Sequence, residues 1–143
     1  MARKTYQLSI VTPEKTVYED QVNSTTLPAE NGYLGVWADH APMVAAVRPG
    51  MVTLHEGTSE KETAHYAVGG GFAEVSGGRM ILIVDHCELE TDLDAQTVER
   101  QLAEAKELLR RWKAGETGID ADAAQQAKDY AEACLHVAYM RGR

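Results

Sequence analysis

The hydrophobic period of this chain changes once, and the change divides it into two parts with different folding rules. From Tyr6 to about Glu90 apolar residues alternate with polar ones or stand in short runs. Tyr6, Leu8 and Ile10 alternate, 17–27 is rich in Val, Tyr and Thr, and further runs occupy 43–47, 51–54, 66–68, 72–75 and 80–84. Turn chemistry bounds them at Asn31-Gly32, Pro49-Gly50, Glu56-Gly57, Gly69-Gly70-Gly71 and Gly77-Gly78. Many short strands at close spacing, without intervening helices, predict a β-sandwich or flattened barrel. No βαβ unit is visible, which removes the parallel-sheet enzyme folds.

Past Thr91-Asp92-Leu93-Asp94 the spacing becomes helical. Val98, Leu102, Ala105, Leu109 and Trp112 recur at intervals of four, three, four and three, forming one apolar stripe. Asp94 is the expected N-cap, its carboxylate accepting from backbone N–H groups at the positive helix end. Lys106, Arg110, Arg111 and Lys113 collect at the other end, before an Ala114-Gly115 stop. A second helix should start near Asp120 or Asp122. Its small residues, Ala124, Ala127, Ala131, Cys134 and Ala138, would let two helices approach closely as an antiparallel hairpin. The expected organisation is a mainly β sandwich or flattened barrel over 1–90, then an α-helical hairpin over 91–143.

Charge narrows the partners. Fourteen basic and 22 acidic residues leave a formal charge of −8, which argues against nucleic acid, since a polyanion selects a basic face. Through Thr91, six basic and 12 acidic residues give −6; from Asp92 onward, eight and ten give −2. The shorter helical part therefore holds most of the positive charge. Its single apolar seam is too narrow for independent stability, so it must lean on the β part, on a partner, or alternate between them. Residues 80–84 form the longest strongly apolar run, far short of the roughly 20 a bilayer-crossing helix needs. Met1-Ala2-Arg3-Lys4 has the basic start of an export signal, but Tyr6 to Ile10 alternates where an apolar segment should follow. Cys87 and Cys134 lack C-x-x-C spacing and read as two reduced, structural thiols of a cytoplasmic protein.

Catalytic constellations are thin. The acidic pairs Glu88/Glu90 and Asp92/Asp94 sit at the junction between the two parts, where such residues commonly cap and solvate. His40, His55, His65, His86 and His136 show no ligand spacing. Asp85-His86-Cys87 gathers three ligand types, but adjacent strand positions face opposite ways and cannot converge on one ion. Gly69-Gly70-Gly71 precedes a strand, whereas a phosphate loop should open a helix, so the triplet reads as a turn or bulge with positive φ. The residues point to a chain without catalytic, metal or cofactor chemistry.

One stretch is more specific. Asn31-Gly32-Tyr33-Leu34-Gly35-Val36-Trp37-Ala38-Asp39-His40-Ala41-Pro42-Met43, continued by Arg48-Pro49-Gly50-Met51-Val52, closely resembles the signature of the epsilon subunit of the F-type ATP synthase, bacterial type. The stretch Tyr66 to Val75 and the opening strand ending at Val11-Thr12-Pro13-Glu14 fit the same family, so the likeness covers nearly the whole chain. It implies a non-catalytic rotor subunit of the central stalk, which couples proton or sodium flow to ATP synthesis. Such a subunit binds gamma and rests on the ring of c subunits, peripheral to the cytoplasmic face of the bacterial inner membrane. On this resemblance Asn31, Gly32, Tyr33, Asp39, His40 and Pro42 are expected to meet gamma and the c ring. The hairpin would lie against the β domain or extend toward the catalytic α and β subunits and obstruct ATP hydrolysis, with Lys106, Arg110, Arg111 and Lys113 as its contacts.

Two departures stand out. Some family members bind ATP through I/L-D-x-x-R-A at the start of the first helix. Leu93-Asp94 begins that motif, but Thr97 and Val98 stand where Arg and Ala belong, and Arg100 lies three positions on. No ATP sensing is expected. The second helix has Lys128 as its only interior basic residue, with Arg141 and Arg143 at the tail, so inhibition by this arm would be weak or would use the 106–113 cluster. On composition and periodicity alone, a stand-alone β-sandwich adaptor and a small ATP-sensing module remain open alternatives.

Overall fold

The computed structural model describes residues 4–56 and 64–140; Arg3, Gly57, Arg141 and Arg143 lie outside the described residues. The strands are β1 (Tyr6–Val11), β2 (Thr16–Val22), β3 (Ser24–Ala29), β4 (Gly32–Trp37) and β5 (Met43–Val47), then β6 (Gly50–His55), β7 (Ala64–Val68), β8 (Gly71–Ser76), β9 (Arg79–Val84) and β10 (Cys87–Leu89). A 3-10 turn at Glu90–Asp92 leads into α1 (Ala95–Lys113) and α2 (Ala121–Met140). The strands pair in the order β10-β7-β6-β3-β5-β8-β9-β1-β2, with β4 added to β3. They form the β-sandwich, a nearly closed barrel of ten strands among the described residues, and two helices follow it.

Alternation decides which side chains enter the sandwich. β1 lies parallel to β9, with Leu8 beside Met80 and Ile10 beside Leu82, and all four are fully buried. Leu27, Val52, Leu54 and Val68 complete the centre of the same core. Each such side chain contributes roughly 1.5–3 kcal/mol by leaving water. Inside this apolar space the Tyr6 hydroxyl is satisfied by Thr25 Oγ1 at 2.7 Å and donates to the Val36 carbonyl at 2.9 Å.

Two local readings differ from the structure. Residues 17–27 are not one strand: the chain bends at Asn23, whose backbone N–H donates to the His55 carbonyl at 2.8 Å and whose side-chain amide donates to the Lys4 carbonyl at 3.3 Å. The stretch after Asn31-Gly32, where the sequence runs leave no strand, forms one. Gly32–Trp37 pairs with β3 along its full length, from Ala29↔Gly32 to Ser24↔Trp37, because Tyr33, Val36 and Trp37 suit a pleated surface despite two glycines.

The helices follow their end signals. Asp94 occupies the N-cap position of α1, but its carboxylate accepts the Thr97 hydroxyl at 2.7 Å rather than making the expected backbone cap. That bond to Thr97 holds the Asp94 carboxyl below its ordinary range. Gly115 (φ 97°) ends α1; its N–H reaches the Trp112 carbonyl and that of Glu116 reaches Arg111, both at 3.0 Å. Asp120 caps α2, accepting the Ala123 N–H at 3.0 Å.

The hairpin lies against the sheet. α2 touches β6, β7 and the 3-10 turn, while α1 packs on α2. A second core forms there from Ala67, Leu93, Val98, Ala131, Cys134, Val137 and Ala138. The small-residue stripe therefore serves approach to the sheet as well as to the other helix. Ala127 is exposed, and Trp112, expected on the buried stripe of α1, is 48% exposed at its end.

Candidate functional site

The signature residues occupy two separate places. Asn31 lies in the β3–β4 turn, and Gly32 and Tyr33 open β4, where Gly32 adopts φ 125°, a conformation that costs a side-chain-bearing residue. Asn31 is exposed and Tyr33 is 60% exposed. They wall a groove of about 400 Å³ with Val44, Ala45 and Ala46. Asp39, His40 and Pro42 lie past the other end of β4, five strand steps from Gly32, or about 17 Å along the strand. Asp39 takes φ 65°, and its carboxylate accepts from Lys4 Nζ at 2.8 Å. His40 is half-buried with its ring nitrogen 2.7 Å from the Ala41 carbonyl, and Pro42 is exposed. The structure thus displays both groups at the surface without gathering them into one cluster.

The sandwich also carries, on other strands, an apolar surface that sequence reasoning missed. The outward register of the sandwich aligns Ala46, Phe72, Ile83 and Val11 across β5, β8, β9 and β1, with Val44 one pair further along β5. Val44 is 72%, Phe72 62% and Ile83 54% exposed. Trp37 is exposed as well, its ring lying over Gly35. The sequence signal was the unbroken apolar run 80–84, whose alternate members must face out of the core.

The basic cluster of the arm is partly self-neutralised. Arg110 grips Glu107 through two bonds, at 2.9 and 2.6 Å, and Arg111 Nε lies 2.6 Å from Glu116. The Glu107 bond raises the Arg110 pKa and lowers that of Glu107. Lys106 and Lys113 are exposed and form no ion pair among the described residues.

The remaining chemical candidates have structural roles. Thr97 is bound to Asp94 and Val98 is buried in the second core, so neither offers what the missing Arg and Ala of the nucleotide motif would. A groove of about 890 Å³ runs between the arm and the loops at Gly69-Gly70 and Asp85-His86. Its carboxylates, Asp85, Glu88, Glu104 and Asp129, make it a poor seat for a polyphosphate. The glycine triplet corrects the expectation of positive φ: none of Gly69, Gly70 and Gly71 has it. A Cβ on Gly71 would overlap the Ile83 carbonyl and one on Gly69 the Asp85 carboxylate, so close approach explains two of the three. Asp85 and His86 lie in the β9–β10 turn rather than on a strand, while Cys87 opens β10. Among the described residues no group of three His, Cys, Asp or Glu side chains could hold a metal ion, and no helix is long and apolar enough to cross a membrane.

The comparisons converge. Residues 5–90 match the family described as ATP synthase, delta/epsilon chain, β-sandwich domain. The chain is 36% identical over 118 residues to an ATP synthase epsilon chain of Anaeromyxobacter dehalogenans, covering 82% of this chain and 87% of that one. Among solved structures, the fold is similar to a chain of the Euglena gracilis mitochondrial ATP synthase, OSCP/F1/c-ring, with TM-score 0.75 and 20% identity over 94% of this chain and 81% of that one. It is also similar to a chain of the Tetrahymena thermophila mitochondrial ATP synthase central stalk and c ring, with TM-score 0.55 and 15% identity over 99% and 98%.

Proposed function

This chain belongs to the ATP synthase epsilon-chain family, and on that footing we propose that it is a non-catalytic central-stalk subunit which couples rotation to ATP synthesis and restrains ATP hydrolysis through its helices. Residues 1–90 seat the subunit on gamma and the c ring, and 91–143 form the regulatory arm. The flow coupled is of protons or sodium ions. The protein sits at the cytoplasmic face of a bacterial inner membrane, held there by its complex.

The observation that carries this reading is the separation of the two cores. The sandwich closes its own core around Leu8, Ile10, Met80 and Leu82, and the arm adds a second, shallower one on the outside. An element docked on a complete domain can leave it without unfolding it, which a two-position arm requires. The exposed Val44, Phe72 and Ile83 supply an apolar surface for a stalk partner. Asn31 and Tyr33 at one end of β4, and Asp39, His40 and Pro42 at the other, would let gamma and the c ring be met at different places.

Affinity purification of the tagged chain from its native membranes tests the assignment. Gamma should be recovered in stoichiometric amount, followed by c, α and β subunits. Recovery of the chain without gamma would overturn it.

A further inference from the structure

The seam between arm and sheet sets Ala131, Cys134, Val137 and Ala138 of α2 with Ala67 of β7, and Met51 of β6 and Leu135 pack against it. Its smaller side chains remove less apolar surface from water than the Leu, Ile and Met side chains of the sandwich core, so the seam is the weaker of the two. One large residue of α2 adds directional contacts. The Tyr130 ring stacks on His86 in the β9–β10 turn, with centroids 5.0 Å apart and planes at 28°. Its hydroxyl donates to Glu88 Oε1 on β10 at 2.9 Å, closing a gap of 42 residues. Glu88 pairs with Ala67 across β10 and β7, so it projects from the same sheet face that receives α2. Tyr139, the other hydroxyl donor of α2, reaches Glu99 on α1 and so ties the arm only to itself.

We propose that Tyr130, held between His86 and Glu88, is the latch that sets how firmly the arm rests on the β-sandwich. The proposal deepens the reading of the hairpin as a regulatory arm and rests on it for its consequence in the assembled enzyme. Breaking the latch releases α2 while leaving the sandwich folded, because none of its contacts belongs to the first core. A released arm populates the extended position more and restrains hydrolysis more, the reverse of deleting the arm.

Amide hydrogen exchange on the full-length chain reads the latch directly. Tyr130→Phe and Glu88→Ala should each speed exchange in α2 by roughly two- to tenfold, the range for losing one partly exposed hydrogen bond. Amides of β1 and β9 should keep their wild-type rates. The double variant should be no faster than the faster single one, because both substitutions remove the same bond. Wild-type rates in α2, fully additive effects, or an equal rise in β1 and β9 would overturn the latch. In the assembled synthase both variants should lower ATP hydrolysis. If α2 exchange responds as stated while hydrolysis does not, the latch stands and the inhibitory role of the arm falls.

Discussion

Ala67 and Val68 are consecutive on β7, both fully buried, and buried in different cores: Val68 faces the sandwich interior and Ala67 faces the arm. β7 is thus a wall shared by two packing layers, and its alternation separates their energetics. Val68→Ala should lower the unfolding free energy of the whole protein by about 2 kcal/mol, the transfer and cavity cost of two methyl groups. Ala67→Leu should overfill the second core and displace α2, so that proteases cut the arm sooner while the sandwich keeps its urea midpoint. Identical effects of the two substitutions on arm and sandwich would mean a single undivided core.

The placement of the signature residues gives a crosslinking prediction. Tyr33→Cys lies at the start of β4 and Asp39→Cys past its other end, both at exposed positions. In assembled enzyme each should crosslink to gamma or a c subunit, and their separation allows them to find different partners. Crosslinks only to α or β would refute this seating.

The native thiols should not interfere. Burial pushes Cys87 from 9.0 up to about 12 and Cys134 up to about 11, so both stay protonated and slow to react near pH 8. They also face opposite sides of the β7–β10 layer, Cys87 with the sandwich core and Cys134 with Ala67. A folded pKa raised above the unfolded value gives stability that is complete below the unfolded value and is lost as pH rises. With Tyr6 pushed by burial from 10.0 up to about 12, stability should fall between about pH 9 and 12. Urea midpoints measured across that window check this. Cys134→Ala should soften the fall, and a flat profile would contradict it.

Nucleotide should not bind the isolated chain. Thr97 and Val98 remove the guanidinium and the small residue of the motif, and the neighbouring groove presents four carboxylates. A lost charge-assisted contact of roughly 1.5–3 kcal/mol weakens affinity by about tenfold or more. Calorimetric titration should give no saturable heat with ATP, and sub-millimolar binding would contradict the prediction.

Period and turn residues carried most of the architecture, because alternation at Tyr6, Leu8 and Ile10 and the stripe from Val98 to Leu109 answer to local geometry alone. What stayed hidden depends on neighbours distant in the chain. Asn23 bends a run whose composition suits a single strand, and β4 is diluted by Gly32 and Gly35. The constraint on Gly71 comes from the Ile83 carbonyl, which no local pattern announces. Small residues on α2 would look the same facing a helix or a sheet. The candidate site was legible only as a signature: its ends at Asn31 and Asp39 could be named, whereas the apolar surface of Val44, Phe72 and Ile83 and the Glu88–Tyr130 bond needed the register.

The arm itself offers the most direct measurement: ATP synthesis and hydrolysis by synthase assembled with the full chain, with a chain ending at Glu90, and with Arg110, Arg111 and Lys113 reversed to Glu. The truncated chain keeps the whole first core, so it should still bind gamma and support coupled synthesis, while hydrolysis rises. The charge-reversed chain should show part of that rise, shrinking as salt increases, since exposed ion pairs are individually weak and screened. Arg110 and Arg111 must first leave Glu107 and Glu116, which keeps the share of this cluster below that of the whole arm. Equal hydrolysis by all three assemblies would contradict the regulatory arm, and loss of gamma binding by the truncated chain would contradict the division of labour between sandwich and helices.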